Sequence, residues 1–160
     1  MKGKKIILDR AELLRVRKRL RKVGKKVVFT NGCFDLLHGG HIRLFREAKK
    51  HGDILIVALN TDASVRRLKG ASRPVFPLRE RLEVLEAIED IDLLTSFSEE
   101  TPQKIIAEVL PDVLVKGSDW GPDQVVGRQE VEAAGGKVVI VPYLKGHSSS
   151  SLLKKIKKTA

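Results

Sequence analysis

An open α/β sandwich of three layers, with a parallel sheet of about five strands, is the fold class that this 160-residue chain predicts. Three observations point to it. Short runs rich in Val, Ile and Leu alternate with amphipathic stretches of helical length, the pattern of repeated βαβ units. The runs are nearly continuous in apolar character, as in strands covered on both faces. The breaks between them carry Gly, Pro, Asn and Asp, which end helices and turn the chain.

The elements follow in order. Asp9 caps a helix over 11–23, with Leu13, Leu14, Val16, Leu20 and Val23 on its apolar side and Gly24 at its end. Residues 26–30 read as the first strand, and 41–50 as a helix with Ile42, Phe45 and Ala48 facing inward. Gly52 and Asp53 turn into a second strand, Ile54-Leu55-Ile56-Val57-Ala58-Leu59. A short helix covers 62–68, a loop 69–74, a helix led by Pro77 covers 78–88, and a strand covers 93–96. Thr101 and Pro102 open a helix that Pro111 closes before the strand Val113-Leu114-Val115. A helix over 125–134, a Gly135-Gly136 turn and a strand over 137–141 complete the sheet, and Ser148, Ser149 and Ser150 precede a lysine-rich terminal helix. This order is Rossmann-like, with right-handed crossovers, and ligands bind beyond the carboxyl ends of such strands. Four segments converge there: 31–41, Asn60 with Asp62, 116–120, and the chain leading to Ser148.

With 42% apolar and 32% charged residues the composition is that of an ordinary globular protein, large enough for one core. No apolar stretch approaches the roughly 20 residues that cross a bilayer, and the lysine-rich start lacks the apolar segment of a secretory signal. The expectation is a cytoplasmic protein without membrane insertion. Cys33 is the single cysteine, which excludes an internal disulfide and a zinc site built on several thiolates; a small packing role is expected for it. The net charge of +11 is concentrated: residues 1–26 hold twelve Lys or Arg against Asp9 and Glu12, giving +10, and the remainder is nearly neutral. The chain therefore divides into a basic helical extension, 1–24, and a globular domain, 25–160. Five Phe, one Tyr and one Trp form no base-stacking set, so a nucleic-acid-binding module is the disfavoured alternative class.

The segment Phe29-Thr30-Asn31-Gly32-Cys33-Phe34-Asp35-Leu36-Leu37-His38-Gly39-Gly40-His41 carries the chemistry. It joins a strand to a helix start and sets two imidazoles three residues apart, where both can face one anionic group beside the free N–H groups of the turn. As donors, His38 and His41 can stabilise charge that grows on a phosphoryl group. G-x-G-x-x-G and G-x-x-x-x-G-K-[ST] are both absent, which weighs against dinucleotide and P-loop readings. No Asp or Glu beside the histidines completes a metal triad, and no metal-ligand residue is assigned.

With its H-x-G-H core at 38–41, this segment resembles the nucleotidyltransferase superfamily that includes the glycerol-3-phosphate cytidylyltransferases. Further segments resemble the adenylyltransferase half of bifunctional ADP-heptose synthases: Leu59-Asn60-Thr61-Asp62-Ala63-Ser64-Val65, Arg67-Leu68-Lys69-Gly70, Arg73-Pro74, Val115-Lys116-Gly117-Ser118-Asp119-Trp120, and Gly146 with Ser148-Ser149-Ser150. The resemblance covers roughly 25–156 and makes 25–160 a nucleotidyltransferase catalytic domain. It implies that the phosphate of D-glycero-β-D-manno-heptose 1-phosphate attacks the α-phosphorus of ATP, giving ADP-heptose and pyrophosphate without a covalent enzyme intermediate. Mg²⁺ would travel with ATP, held by phosphates and water. A separate sugar kinase would supply the acceptor, and a homodimer is left open.

By the same resemblance His38 and His41 bind the phosphates and stabilise the pentacoordinate transition state, joined by Lys69 from a loop able to close over polyphosphate. Asn31, Gly32, Cys33, Phe34 and Gly40 surround the nucleotide, with the Cys33 and Phe34 N–H groups on the α-phosphate. Arg81 meets phosphate or pairs structurally with Glu80 or Glu86. Lys116 emerges at a strand end, a common place for a ligand residue. The hydroxyls and N–H groups of Ser148, Ser149 and Ser150 hold the β- and γ-phosphates. On the acceptor side, Asp35 meets the sugar phosphate or caps local N–H groups. Asp119 binds a sugar hydroxyl or orients Lys116, Trp120 walls the site or packs its loop, and Asp62 stands beside them. Glycerol-phosphate enzymes carry an arginine before their last motif where this chain has Tyr143-Leu144-Lys145, which makes the cytidylyltransferase the second reading.

Overall fold

The computed structural model describes residues 5–118, 121, 124–142 and 148–159. Five parallel strands, β1 (Val27–Gly32), β2 (Ile54–Asn60), β3 (Leu93–Phe97), β4 (Val113–Gly117) and β5 (Lys137–Val141), lie in the order β3-β2-β1-β4-β5. The helices are α1 (Arg10–Lys22), α2 (Gly39–Lys49), α3 (Asp62–Lys69), α4 (Leu78–Glu86), α5 (Gln103–Val109), α6 (Arg128–Ala133) and α7 (Ser149–Thr159). The chain winds one way from β1 to β3 and the other way through β4 and β5, so the topological switch lies between β1 and β4. A crevice is expected at their carboxyl ends.

Strand side chains point alternately to the two faces, and both faces are apolar. Val28, Leu55, Val57, Leu59, Val113 and Val115 pack with Phe45 and Ala48 of α2 and Leu82 and Leu85 of α4. Val27, Phe29, Ile56, Ala58 and Leu114 pack on the opposite side with Leu13 of α1, Ile105, Ile106 and Val109 of α5, and Val131 of α6. Covering both faces produces the three layers and explains why the strands read as continuous apolar runs.

Two elements differ from the pattern reading. The sixth helix begins at Arg128 and not at 125, because Gly127 takes a left-handed φ of 87° as its N-cap, and an added Cβ there would lie 2.6 Å from Ile106. In α1, Val23 is 70% exposed, while Arg17 is buried against α5. The Arg17 guanidinium donates to the carbonyl oxygens of Val109 (3.1 Å) and Leu110 (2.8 Å) at the carboxyl end of α5. Its stem is buried beside Leu13, so the helix's inner side includes a cation that the apolar pattern does not mark. Ahead of α1, Ile7 N–H donates to Leu94 O and Leu94 N–H to Lys5 O, which ties the chain's start to the β3 edge.

Candidate functional site

At the carboxyl end of β1 the backbone must leave the sheet sharply. Gly32 permits this because the Phe34 ring sits where its Cβ would be, at 3.0 Å, and Phe34 itself adopts φ 45°. Phe34 is buried against Phe45 (5.2 Å) and meets the His41 ring edge-on at 5.3 Å, so the loop is anchored by its own aromatic residue.

The two histidines form a reciprocal cap on α2. His38 Nδ1 accepts from Gly40 N–H (3.1 Å), and His41 Nδ1 accepts from His38 N–H (3.3 Å). The rings stack with centroids 3.9 Å apart and planes 27° from parallel. An Nδ1 that accepts cannot carry the proton, so each neutral ring carries it on Nε2, at its opposite edge. His41 is held at about 4, far below its ordinary 6.5, by burial first and then by the neighbouring His38 and Lys69. His41 therefore presents a neutral N–H donor locked in orientation, while the Nε2 of His38 is buried behind it and His38 does not line the cleft.

His41 lines a cleft of about 470 Å³ at the β1–β4 switch. The same cleft is lined by Asn31, Gly32, Cys33, Phe34, Gly40, Asn60, Lys69, Lys116 and Ser149. Lys116, buried at the end of β4, donates to Asn31 Oδ1 across the switch point. Lys69 ends α3, is exposed, and has no ion-pair partner among the described residues. Burial raises the Cys33 thiol above its ordinary value, the nearby cations opposing, and Sγ sits 3.7 Å from Asn60 Oδ1. A protonated thiol is a packing group, not a nucleophile.

The serine segment closes the far side. Ser148 and Ser151 cap one another, Ser151 N–H to Ser148 Oγ at 3.0 Å and Ser148 N–H to Ser151 Oγ at 3.2 Å. Ser149 Oγ donates to Leu36 O (2.9 Å), tying the start of α7 to the histidine loop. Ser150 is exposed. Ser151 was not singled out from the sequence, although its spacing from Ser148 is the signature of such a box.

Asp35, Arg81 and Asp62 do not line the cleft, and for Asp35 and Arg81 the structure shows the capping and pairing alternatives. The Asp35 side chain is 0% exposed, pairs with Arg73 Nε at 2.6 Å, and accepts the N–H groups of Val75 (2.9 Å) and Phe76 (3.0 Å). Burial pushes its carboxyl up, but the Phe76 and Val75 N–H groups and Arg73 outweigh this and hold it below its ordinary value. Arg81, also buried, donates to Cys33 O (2.6 Å), Asn60 O (2.9 Å), Phe76 O (3.0 Å) and Asp62 Oδ1 (2.7 Å). Its ion-pair partner is thus Asp62, not Glu80 or Glu86, because α4 points it back at the carboxyl ends of β1 and β2. Asp62 Oδ1 also accepts Leu78 N–H at 2.8 Å, starting α4. These carboxylates and Arg81 hold the loops in register. Asp119, Trp120 and the stretch 143–147 lie outside the described residues.

The cleft has a further wall that the sequence reading passed over. Glu100, Thr101 and Pro102 line it from the loop after β3, opposite Val125, Val126, Val141 and Pro142. Their signal is topological: every carboxyl-end loop of a parallel sheet borders the crevice, so Thr101-Pro102 both starts a helix and walls the cleft.

Among the described residues no group of three His, Cys, Asp or Glu is placed to hold a metal ion, and no helix is long and apolar enough to cross a membrane.

Comparison with known proteins agrees with this geometry. The bifunctional protein HldE of Citrobacter koseri is 50% identical over 152 residues, covering 95% of this chain and 32% of the relative. HldE of Klebsiella pneumoniae is 49% identical over the same shares. The chain thus spans about a third of the length of these relatives. Among solved structures, a lipopolysaccharide core biosynthesis protein from Thermoplasma volcanium superposes with TM-score 0.62 at 32% identity, covering 78% of this chain and all of that one. Pantothenate synthetase from Thermus thermophilus, at TM-score 0.65 and 18% identity, shares the fold over 98% of this chain and 71% of its own. The Cytidylyltransferase-like profile matches residues 29–155, from the Phe29 strand through the serine cap to α7, and the chain belongs to that family as an enzyme of nucleotidyltransferase type.

Proposed function

We propose that the chain is an adenylyltransferase that joins ATP and D-glycero-β-D-manno-heptose 1-phosphate into ADP-heptose and pyrophosphate. The observation that carries the reaction class is the stacked His38–His41 pair, whose Nδ1 atoms are committed to the backbone, which fixes the orientation of the His41 Nε2–H on the cleft wall with His38 packed behind it. Preorganised donors in a half-closed cleft stabilise the charge that develops on the phosphoryl oxygens during in-line attack, and cost no reorganisation when it appears. The choice of adenylyl donor and heptose acceptor is supported by the identity to HldE across 95% of the chain.

In this reading Lys69 and Lys116 neutralise the polyphosphate from opposite walls, and Ser149 with the first turn of α7 receives its leaving end. Asp119 and Trp120 are proposed on the acceptor side. Mg²⁺ would be carried by phosphate oxygens and water, since the nearby Asp35 and Asp62 carboxylates are already engaged by Arg73 and Arg81. A cytoplasmic location and a functional partnership with a sugar kinase belong to the same proposal.

Incubation with ATP, Mg²⁺ and the heptose 1-phosphate is expected to release pyrophosphate and form ADP-heptose. Turnover with CTP and glycerol 3-phosphate, and none with the first pair, would transfer the assignment to a glycerol-phosphate cytidylyltransferase.

A further inference from the structure

A second cavity, of about 510 Å³, opens at the other end of the sheet, and its lining is strongly basic: Arg17, Arg21, Lys25, Lys26 and Lys137 surround the single acid Asp112. We propose that this cavity is an anion site that takes a compact polyphosphate. It lies at the amino end of β1, and the cleft lies at the carboxyl end, about 20 Å away along a strand of this length.

The charges there are incompletely matched. Asp112 accepts from Val27 N–H (2.7 Å) and pairs with Arg17 Nη2 (3.2 Å), so its carboxylate is already engaged. Lys25 pairs with Asp53 at 3.6 Å. Arg21 reaches only the carbonyl of Leu110, at 3.3 Å, and Arg21, Lys26 and Lys137 have no ion-pair partner among the described residues. Arg17 is 4% exposed, and its Nη1 is buried without a hydrogen-bond partner among the described residues. An unsatisfied guanidinium nitrogen is costly, and because this one is buried an anion in the cavity would compensate it through the charge of the guanidinium and not by direct contact.

The carboxyl end of α1 accounts for part of this cluster, because cations are favoured at a helix C-terminus. It does not account for the lysines. Lys26 precedes β1 and Lys137 opens β5, two strands separated only by β4. At the usual strand spacing they stand about 10 Å apart, a separation that a short phosphoryl chain held between two long side chains can bridge. Among the described residues no aromatic side chain lines the cavity to stack a base, which favours a compact polyanion over a nucleic-acid strand.

The test uses inorganic tripolyphosphate and the ¹⁵N-labelled full chain, following backbone amides at Lys26 and Lys137 and, separately, at Gly32 and Gly40 in the cleft. Saturable shifts are expected at both ends. In the Lys26→Ala/Lys137→Ala double variant the amino-end affinity is expected to fall at least tenfold, with the cleft response unchanged as evidence of an intact fold. Shifts confined to the cleft would overturn the site. So would an amino-end response that never saturates and is reproduced by chloride at equal ionic strength, or tighter saturation by a short single-stranded oligonucleotide than by tripolyphosphate.

Discussion

His38 and His41 stand at the end of the loop after β1, and Asp35 and Arg81 stand behind it, yet the two groups use their polarity in opposite ways. The histidines are stacked and tied to the backbone through Nδ1, and His41 is held neutral. The charged residues are fully engaged inside the protein: Asp35 by Arg73 and two N–H groups, Arg81 by three carbonyls and Asp62. Formal charge alone is therefore a poor guide to which residue lines the cleft: Lys69 and Lys116 do, and Asp35 and Arg81 do not. Here buried ion pairs position the loops, and His41, held neutral, is left on the cleft wall.

That contrast is broken most severely at Asp35. Asp35→Ala leaves Arg73 buried without its carboxylate, and breaking a buried pair costs about 3–5 kcal/mol. Urea denaturation should show a loss of that size, with activity falling in step with the folded fraction. Near-wild-type stability combined with a raised KM for the sugar phosphate would return Asp35 to the acceptor site.

At the histidines the expected loss is kinetic. His38→Ala and His41→Ala should each lower kcat about 10²–10³-fold, the size seen when one transition-state donor is removed. ATP affinity, read by equilibrium binding, should change much less, because the donors act most strongly on charge that develops during the reaction. A large affinity loss at unchanged kcat would make the pair a ground-state binding device.

The same contrast explains what could be read from the sequence. The strand–loop–helix course of 29–41 and a helix start at the serines were legible because they are local, whereas the partners within each cap, His38 with His41 and Ser148 with Ser151, emerge only in the structure. The sheet was legible because both its faces are apolar. The partners of Arg17, Arg73 and Arg81 could not be read from the sequence because most lie far along the chain and most are carbonyl oxygens, which every residue possesses and no pattern marks. The Asp35–Arg73 pair joins positions 38 apart, and Arg17 reaches carbonyls more than 90 positions away. Glu100 to Pro102 entered the cleft through topology alone.

Acid provides a smaller test of the histidine side. His41 is held at about 4 in the folded chain against an ordinary 6.5, so between these values the unfolded chain binds a proton that the folded chain refuses. Stability therefore falls as pH falls through this window, and this group should contribute a loss of about 2 kcal/mol between about pH 7 and pH 5. His41→Asn should remove that increment from the difference between denaturation curves at the two pH values. An unchanged difference would place the acid sensitivity elsewhere.

Lys69 is where the two behaviours meet, since it is a full charge that no partner engages among the described residues. As an exposed cation its attraction for polyphosphate is screened by water and salt, so Lys69→Ala should raise the KM for ATP by no more than about tenfold, and the ratio should shrink as salt is added. If kcat stays nearly constant, Lys69 binds substrate and transition state alike. If instead kcat drops as far as in the histidine variants and salt does not restore it, the α3–α4 loop closes over the reacting phosphate, and Lys69 joins His38 and His41 as a transition-state donor.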